Sequence, residues 1–89
     1  MDLKEQVISS LTELDDIKRF GIRDNDYNAI LFNLNLINMT VDPKFKTQKL
    51  CAQHAHHAWT LYGDGISPLH LTECITHLEN LVTAINKGE

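Results

Sequence analysis

Histidine and cysteine side chains are concentrated in two short segments of this 89-residue chain. The segments are Cys51-Ala-Gln-His54-Ala-His56-His57 and His70-Leu-Thr-Glu73-Cys74-Ile-Thr-His77. Imidazole nitrogen and thiolate sulfur are the ligands that Zn²⁺ prefers in proteins. The two segments are therefore the first place to look for chemistry.

Geometry favours a metal site if both segments are helical and antiparallel. In a helical hairpin with its turn near Asp64-Gly65, two residues on opposite helices lie at the same height when their numbers sum to roughly 131. This follows from the regular rise per residue of a helix. His57 then meets Cys74, and His54 meets His77. The sequence thus predicts one possible zinc set, made of His54, His57, Cys74 and His77. Without a metal, the same residues simply pack at the edge of an apolar stripe.

The same residues offer little support for catalysis. A Cys–His pair can form an activated nucleophile, but these candidates lie on regular helices without a cleft built from loops. Nucleophile motifs, nucleotide-binding loops and dinucleotide fingerprints are all missing from the sequence. We expect no enzyme and no cofactor, apart from the zinc alternative.

A short basic run is the second chemical feature. Lys44, Lys46 and Lys49 fall in the first turns of the third predicted helix, where free amide groups also favour an anion. Arg19 and Arg23 are further candidates for the same ligand. A solvated surface run is the more frequent outcome of such a pattern.

Aromatic residues are the third feature. Trp59 is the single tryptophan, and its position at the boundary between the apolar and polar faces favours an interface. Tyr62 follows it closely. Tyr27 and Phe32 point in different directions on the second helix, so both cannot enter one narrow core. We therefore expect Trp59, Tyr62, Phe32 and Tyr27 to supply contacts to a partner.

Four amphipathic segments must position these residues. Apolar residues at three- and four-residue steps predict helices over Asp2–Phe20, Asp24–Met39, Asp42–Tyr62 and Ser67–Lys87. The second is the weakest, because Phe32 to Leu36 also alternates as a strand would. Asp42 with Pro43 and Ser67 with Pro68 indicate the two later helix starts.

These elements predict an all-α fold over residues 1–89, a single helical domain. We expect a compact antiparallel four-helix bundle or four-helix array with a C-terminal helical hairpin. A domain of this size is marginally stable, so self-association into a homo-oligomer is expected as well.

Composition narrows the class of function. The net charge of −4 disfavours nucleic acid as a partner, because phosphate binding calls for clustered cations. No apolar run is long enough to cross a membrane. Two cysteines and the lack of a signal segment favour the cytoplasm.

Three functions remain open on the sequence alone. The first is a small non-enzymatic protein-interaction module that acts as a regulator, inhibitor or adaptor, as many proteins encoded by viruses and mobile elements do. The second is an oligomeric binder of a small anionic ligand such as a nucleotide. The third is the His/Cys metal-binding bundle.

Overall fold

The computed structural model describes residues 2–89, which form four α-helices and contain no strand. Helix α1 spans Leu3–Phe20, and Asp2 caps it by accepting a hydrogen bond from the Glu5 amide at 2.8 Å. The helix ends at Gly21, whose φ of 90° is open to glycine but strained for other residues. Both ends of α1 confirm the sequence prediction.

Helix α2 spans Asp26–Thr40, so the alternating stretch from Phe32 to Leu36 is helical. Its core-facing residues are Ile30, Leu34 and Ile37, which recur at helical spacing. The helix starts two residues later than predicted, because the Asp26 carboxylate accepts the Arg23 amide at 2.8 Å and holds a turn there.

Helix α3 spans Lys46–Gly63, so the predicted start at Asp42 and Pro43 is wrong. The Asp42 carbonyl accepts the Phe45 amide at 3.0 Å, and its carboxylate accepts the Lys44 amide at 3.0 Å. These bonds close a turn with proline at its second position, where the fixed φ of proline fits. The Asp42 carboxylate therefore stabilises this turn and does not cap a helix.

Helix α4 spans Leu69–Lys87. The Ser67 hydroxyl accepts the Leu69 amide at 3.2 Å, as a capping side chain does, but the N-cap position is held by Pro68, one residue later than predicted. Gly88 ends the helix with a left-handed φ of 71°.

The helices form a closed ring in which α1 contacts α2, α2 contacts α3, α3 contacts α4 and α4 returns to α1. Within residues 2–89, the backbones of diagonal helices do not come within 8 Å of each other, measured between Cα atoms. Neighbours run antiparallel: His54 meets His77 between α3 and α4, and the Lys49 ammonium donates to the Asn38 carbonyl between α3 and α2. The prediction of an antiparallel all-α bundle with a C-terminal hairpin is confirmed.

The core follows the inner face of all four helices. Its largest fully buried side chains include Leu14, Ile30, Trp59, Leu78 and Leu81. Ala52, Ala55 and Ala58 form the inner face of α3 beside Trp59, so small residues let α4 approach closely. None of the four described helices is long and apolar enough to cross a bilayer.

Two connections meet at one end of the ring. The α1–α2 connection and the α3–α4 connection lie at the same end, because all neighbouring helices are antiparallel. The α2–α3 connection, the start of α1 and the end of α4 lie at the other. This arrangement decides which of the candidate residues come together.

Candidate functional site

The predicted zinc set is not assembled. Within residues 2–89, no group of three or more His, Cys, Asp or Glu side chains is placed to hold a metal ion. His54 and His77 do come level, and their rings stack with centroids 5.1 Å apart. His57 is exposed, whereas Cys74 is fully buried. The reason is the rotation of α3, which turns its alanine face inward and its histidines outward.

The buried thiol of Cys74 has a raised pKa. Burial raises the pKa of Cys74 to about 12, so the thiol stays protonated at neutral pH. Burial also raises the pKa of Cys51, and both cysteines are free. A raised pKa lowers the thiolate fraction, so neither side chain is activated as a nucleophile.

The predicted anion site is divided between the two ends of the molecule. Lys44 and Lys46 lie beside the α2–α3 connection, whereas Arg19 and Arg23 lie beside the α1–α2 connection. Helix α2 separates the two groups by about 22 Å, at 1.5 Å per residue. One small anion therefore does not bridge them.

Most of these cations also have partners already. Arg19 pairs with Asp15 at 3.2 Å and Arg23 with Asp26 at 3.6 Å, while Lys44 lies 3.9 Å from Asp42. The Lys49 ammonium donates to a backbone carbonyl. Arg23 further borders a small cleft that contains the carboxylates of Glu13, Asp16 and Asp26. That surface repels an anion rather than attracting it.

Trp59 is a core residue, which corrects its predicted place at the edge of the helix. Its side chain is fully buried, and its indole Nε1–H donates to the Tyr27 carbonyl at 3.1 Å. The ring stacks on Tyr27 with centroids 5.4 Å apart and on Tyr62 with centroids 5.3 Å apart. The indole offers no surface to a partner, but it fixes two tyrosines that are only partly buried.

Those tyrosines line a cleft where the two connections meet. The cleft has a volume of about 400 Å³. We call it the loop-end cleft, and its lining residues are Ile22, Tyr27, Tyr62, Gly63, Gly65, Ser67 and Pro68. None of them is charged, so the cleft suits an apolar or weakly polar group.

Gly63 sets the depth of the loop-end cleft. A Cβ atom at this position would lie 2.0 Å from Cε1 of Tyr27 and 2.5 Å from its Cζ. Only glycine therefore lets the Tyr27 ring approach the end of α3 this closely. The ring then extends the aromatic stack from Trp59 to the surface.

Exposed apolar side chains lie at the same end of the molecule. Phe20 and Ile22 flank Gly21, and they are 82% and 43% exposed. Ile66 and Leu69, in and just after the α3–α4 connection, are 63% and 68% exposed. Sequence analysis missed these four residues, although large apolar side chains beside turn glycines were a visible signal. Such a concentration of exposed apolar side chains is typical of an interaction surface.

Phe32 lies elsewhere. It is 67% exposed and points away from the core on the outer side of α2, apart from the loop-end cleft. The structure thus brings Tyr27, Trp59 and Tyr62 together and leaves Phe32 on a second surface.

No protein-family model matches this chain, and no curated protein or solved structure shows significant similarity to it. The functional argument therefore depends on the geometry of its own residues.

Proposed function

We propose that this protein is a non-enzymatic interaction module that binds a partner protein through the loop-end cleft. The single observation that carries the proposal is the exposure of Phe20, Ile66 and Leu69 at the end of the bundle that holds the cleft. Water-exposed apolar surface of this kind is unfavourable until a partner covers it.

The chemistry of the cleft indicates what part of a partner it accepts. Tyr27 and Tyr62 present rigid ring surfaces together with hydroxyl groups, a combination that is common at interfaces. Because no lining residue is charged, covering the cleft breaks no ion pair and favours an apolar group that has few hydrogen bonds to lose. The best fit is one large apolar or aromatic side chain on a projecting segment of the partner.

A binding role is also consistent with the titratable groups. The thiol of Cys74 has a pKa of about 12 and lies in the core, so it supports no nucleophilic chemistry. The stacked His54 and His77 lie on the α3–α4 hairpin, outside the lining of the cleft. The protein would then act by binding its partner, without catalysis, as a regulator, inhibitor or adaptor. Two free thiols favour the reducing cytoplasm as its location.

An anilinonaphthalene sulfonate titration tests whether the cleft binds apolar groups. Ile66 and Leu69 are exposed apolar neighbours in sequence of the lining residues Gly65, Ser67 and Pro68, and we call these two positions the rim of the cleft. Leu69→Ser and Ile66→Ser remove these rim side chains, while Leu50→Ser removes a 54% exposed leucine near the other end of α3. Loss of one large apolar contact should weaken binding about tenfold in the rim variants and leave the control unchanged. Dye bound in the cleft should also quench the emission of Trp59 by energy transfer.

The proposal fails if the unaltered protein binds no dye. It also fails if Leu50→Ser weakens binding as much as the two rim substitutions do. Circular dichroism of each variant separates lost binding from lost folding.

A further inference from the structure

The outer face of α2 is the one helix surface without charge. No Asp, Glu, Lys, Arg or His occurs between Asp26 and Asp42. By contrast, exposed ionisable side chains lie on each other helix, including Asp15 on α1, His54 on α3 and Glu79 on α4. The exposed face of a helix in a globular protein normally carries charged and polar side chains, so a face without charge is unusual.

Three large apolar side chains lie along this face. Phe32, Leu36 and Met39 follow at four- and three-residue steps, opposite the buried Ile30, Leu34 and Ile37. Phe32 is 67% exposed and Met39 is 80% exposed. Aromatic residues and methionine are enriched in protein interfaces. We define the outer face of α2 as Asn28, Phe32, Asn35, Leu36 and Met39.

This face also carries both a projection and a recess. Beside the projecting Phe32 and Met39, a cleft of about 290 Å³ lies between α1 and α2. Leu36 and Asn33 form its α2 wall, and Ser9 and Glu13 form part of its α1 wall. A two-fold symmetric contact needs one patch to be complementary to itself, and a projection beside a recess meets that need.

The polar side chains on the outer face of α2 are also complementary to themselves. Asn28 and Asn35 are exposed, and each amide both donates and accepts hydrogen bonds. The Asn35 amide can therefore pair with Asn35 of an identical chain, whereas a charge at that position would meet its own sign. A chain with net charge −4 repels its copies elsewhere, so a neutral face is the favoured point of approach.

From these observations we infer that a second copy of this chain docks on the outer face of α2. The two α2 helices run antiparallel across a two-fold axis near Asn35 and Leu36. Phe32 of one copy then comes level with Met39 of the other, because their positions are symmetric about that axis. This contact leaves the loop-end cleft of each copy open, so the dimer is independent of the proposed partner site.

Sedimentation velocity over a range of concentrations tests the dimer. The unaltered protein should form a dimer that dissociates on dilution. Phe32→Glu and Met39→Glu should each raise the dissociation constant by about tenfold or more, because a charge then enters an apolar contact. Leu50→Glu, a matched substitution on the outer side of α3, should leave it unchanged.

Charge complementation tests the position of the axis. Asn35→Asp and Asn35→Lys should each weaken self-association, since like charges then face each other. An equimolar mixture of the two variants should form a heterodimer at least about tenfold tighter than either homodimer. Helical circular dichroism of each variant confirms that it folds.

Three results would overturn the inference. One is an unaltered protein that stays monomeric up to about 1 mM, the weak end of the affinity scale. Another is Phe32→Glu with the dissociation constant of the unaltered chain. The last is a mixture of the Asn35 variants that associates no more tightly than each variant alone.

Discussion

At the residue scale, His77 is the histidine whose protonation is most clearly linked to folding. Burial lowers its pKa first, the neighbouring His54 lowers it further, and Glu73 opposes both effects. The unfolded chain has an ordinary histidine pKa of about 6.5. As the pH falls through that value, the unfolded state takes up the proton before the folded state does. This group therefore makes the fold less stable at acidic pH.

The corresponding prediction concerns His77→Gln. The midpoint of urea unfolding should fall less steeply between about pH 7 and about pH 5 in this variant than in the unaltered protein. His54→Gln should give an intermediate slope, because burial of His77 remains while the electrostatic effect of His54 on its pKa is lost. An unchanged slope in His77→Gln would show that His77 carries no such linkage.

At the element scale, the sequence predicted which segments are helical but not how α3 is rotated. Caps at Asp2 and Ser67 and the stop at Gly88 were readable, because each depends on local hydrogen bonds or backbone freedom. Helix α3 has apolar residues on two sides, with Leu50 and Leu61 on one and alanines with Trp59 on the other. The alanine side is the one that faces the core, because small side chains let α4 pack closely. Packing between helices decides this, and local sequence preference does not.

The contact between α2 and α3 gives a prediction at this scale. Gly63→Ala should destabilise the fold by about 1–3 kcal/mol, because its new methyl group overlaps the Tyr27 ring. In a Tyr27→Ala background the same change should instead stabilise by up to about 1 kcal/mol, since alanine favours a helix over glycine. Urea unfolding of the four proteins in this cycle measures the coupling.

Equal destabilisation by Gly63→Ala in both backgrounds would contradict the close approach of Tyr27 to α3. The sign change is specific, because a general loss of helix stability at position 63 would not depend on residue 27.

At the scale of the whole molecule, the loop-end cleft arises from connectivity. Phe20 and Leu69 are distant in sequence and come to the same end only because four helices form one antiparallel ring. Helical periodicity describes one element at a time, so it predicted Tyr27 and Tyr62 as contact residues without their shared cleft. The same ring divides the predicted cations between opposite ends.

Cys74 is buried in the core, so its reactivity reports whether the whole fold is intact. Iodoacetamide should modify Cys51, which is partly exposed, well before Cys74, which is fully buried with a pKa of about 12. Cys74 should react only when α3 and α4 separate, so its rate should rise with urea in parallel with unfolding. Site-resolved mass spectrometry distinguishes the two, and equal native rates would contradict the core described above.

The most direct measurement of the central claim is photo-crosslinking through the loop-end cleft in cells that express the chain natively. A photoreactive phenylalanine replaces Leu69 at the rim, and a matched protein carries it at Leu50 near the other end of α3. We predict a discrete adduct with a partner protein from position 69 that is absent from position 50. No adduct from position 69, or the same adduct from both positions, would contradict a docking role for the cleft.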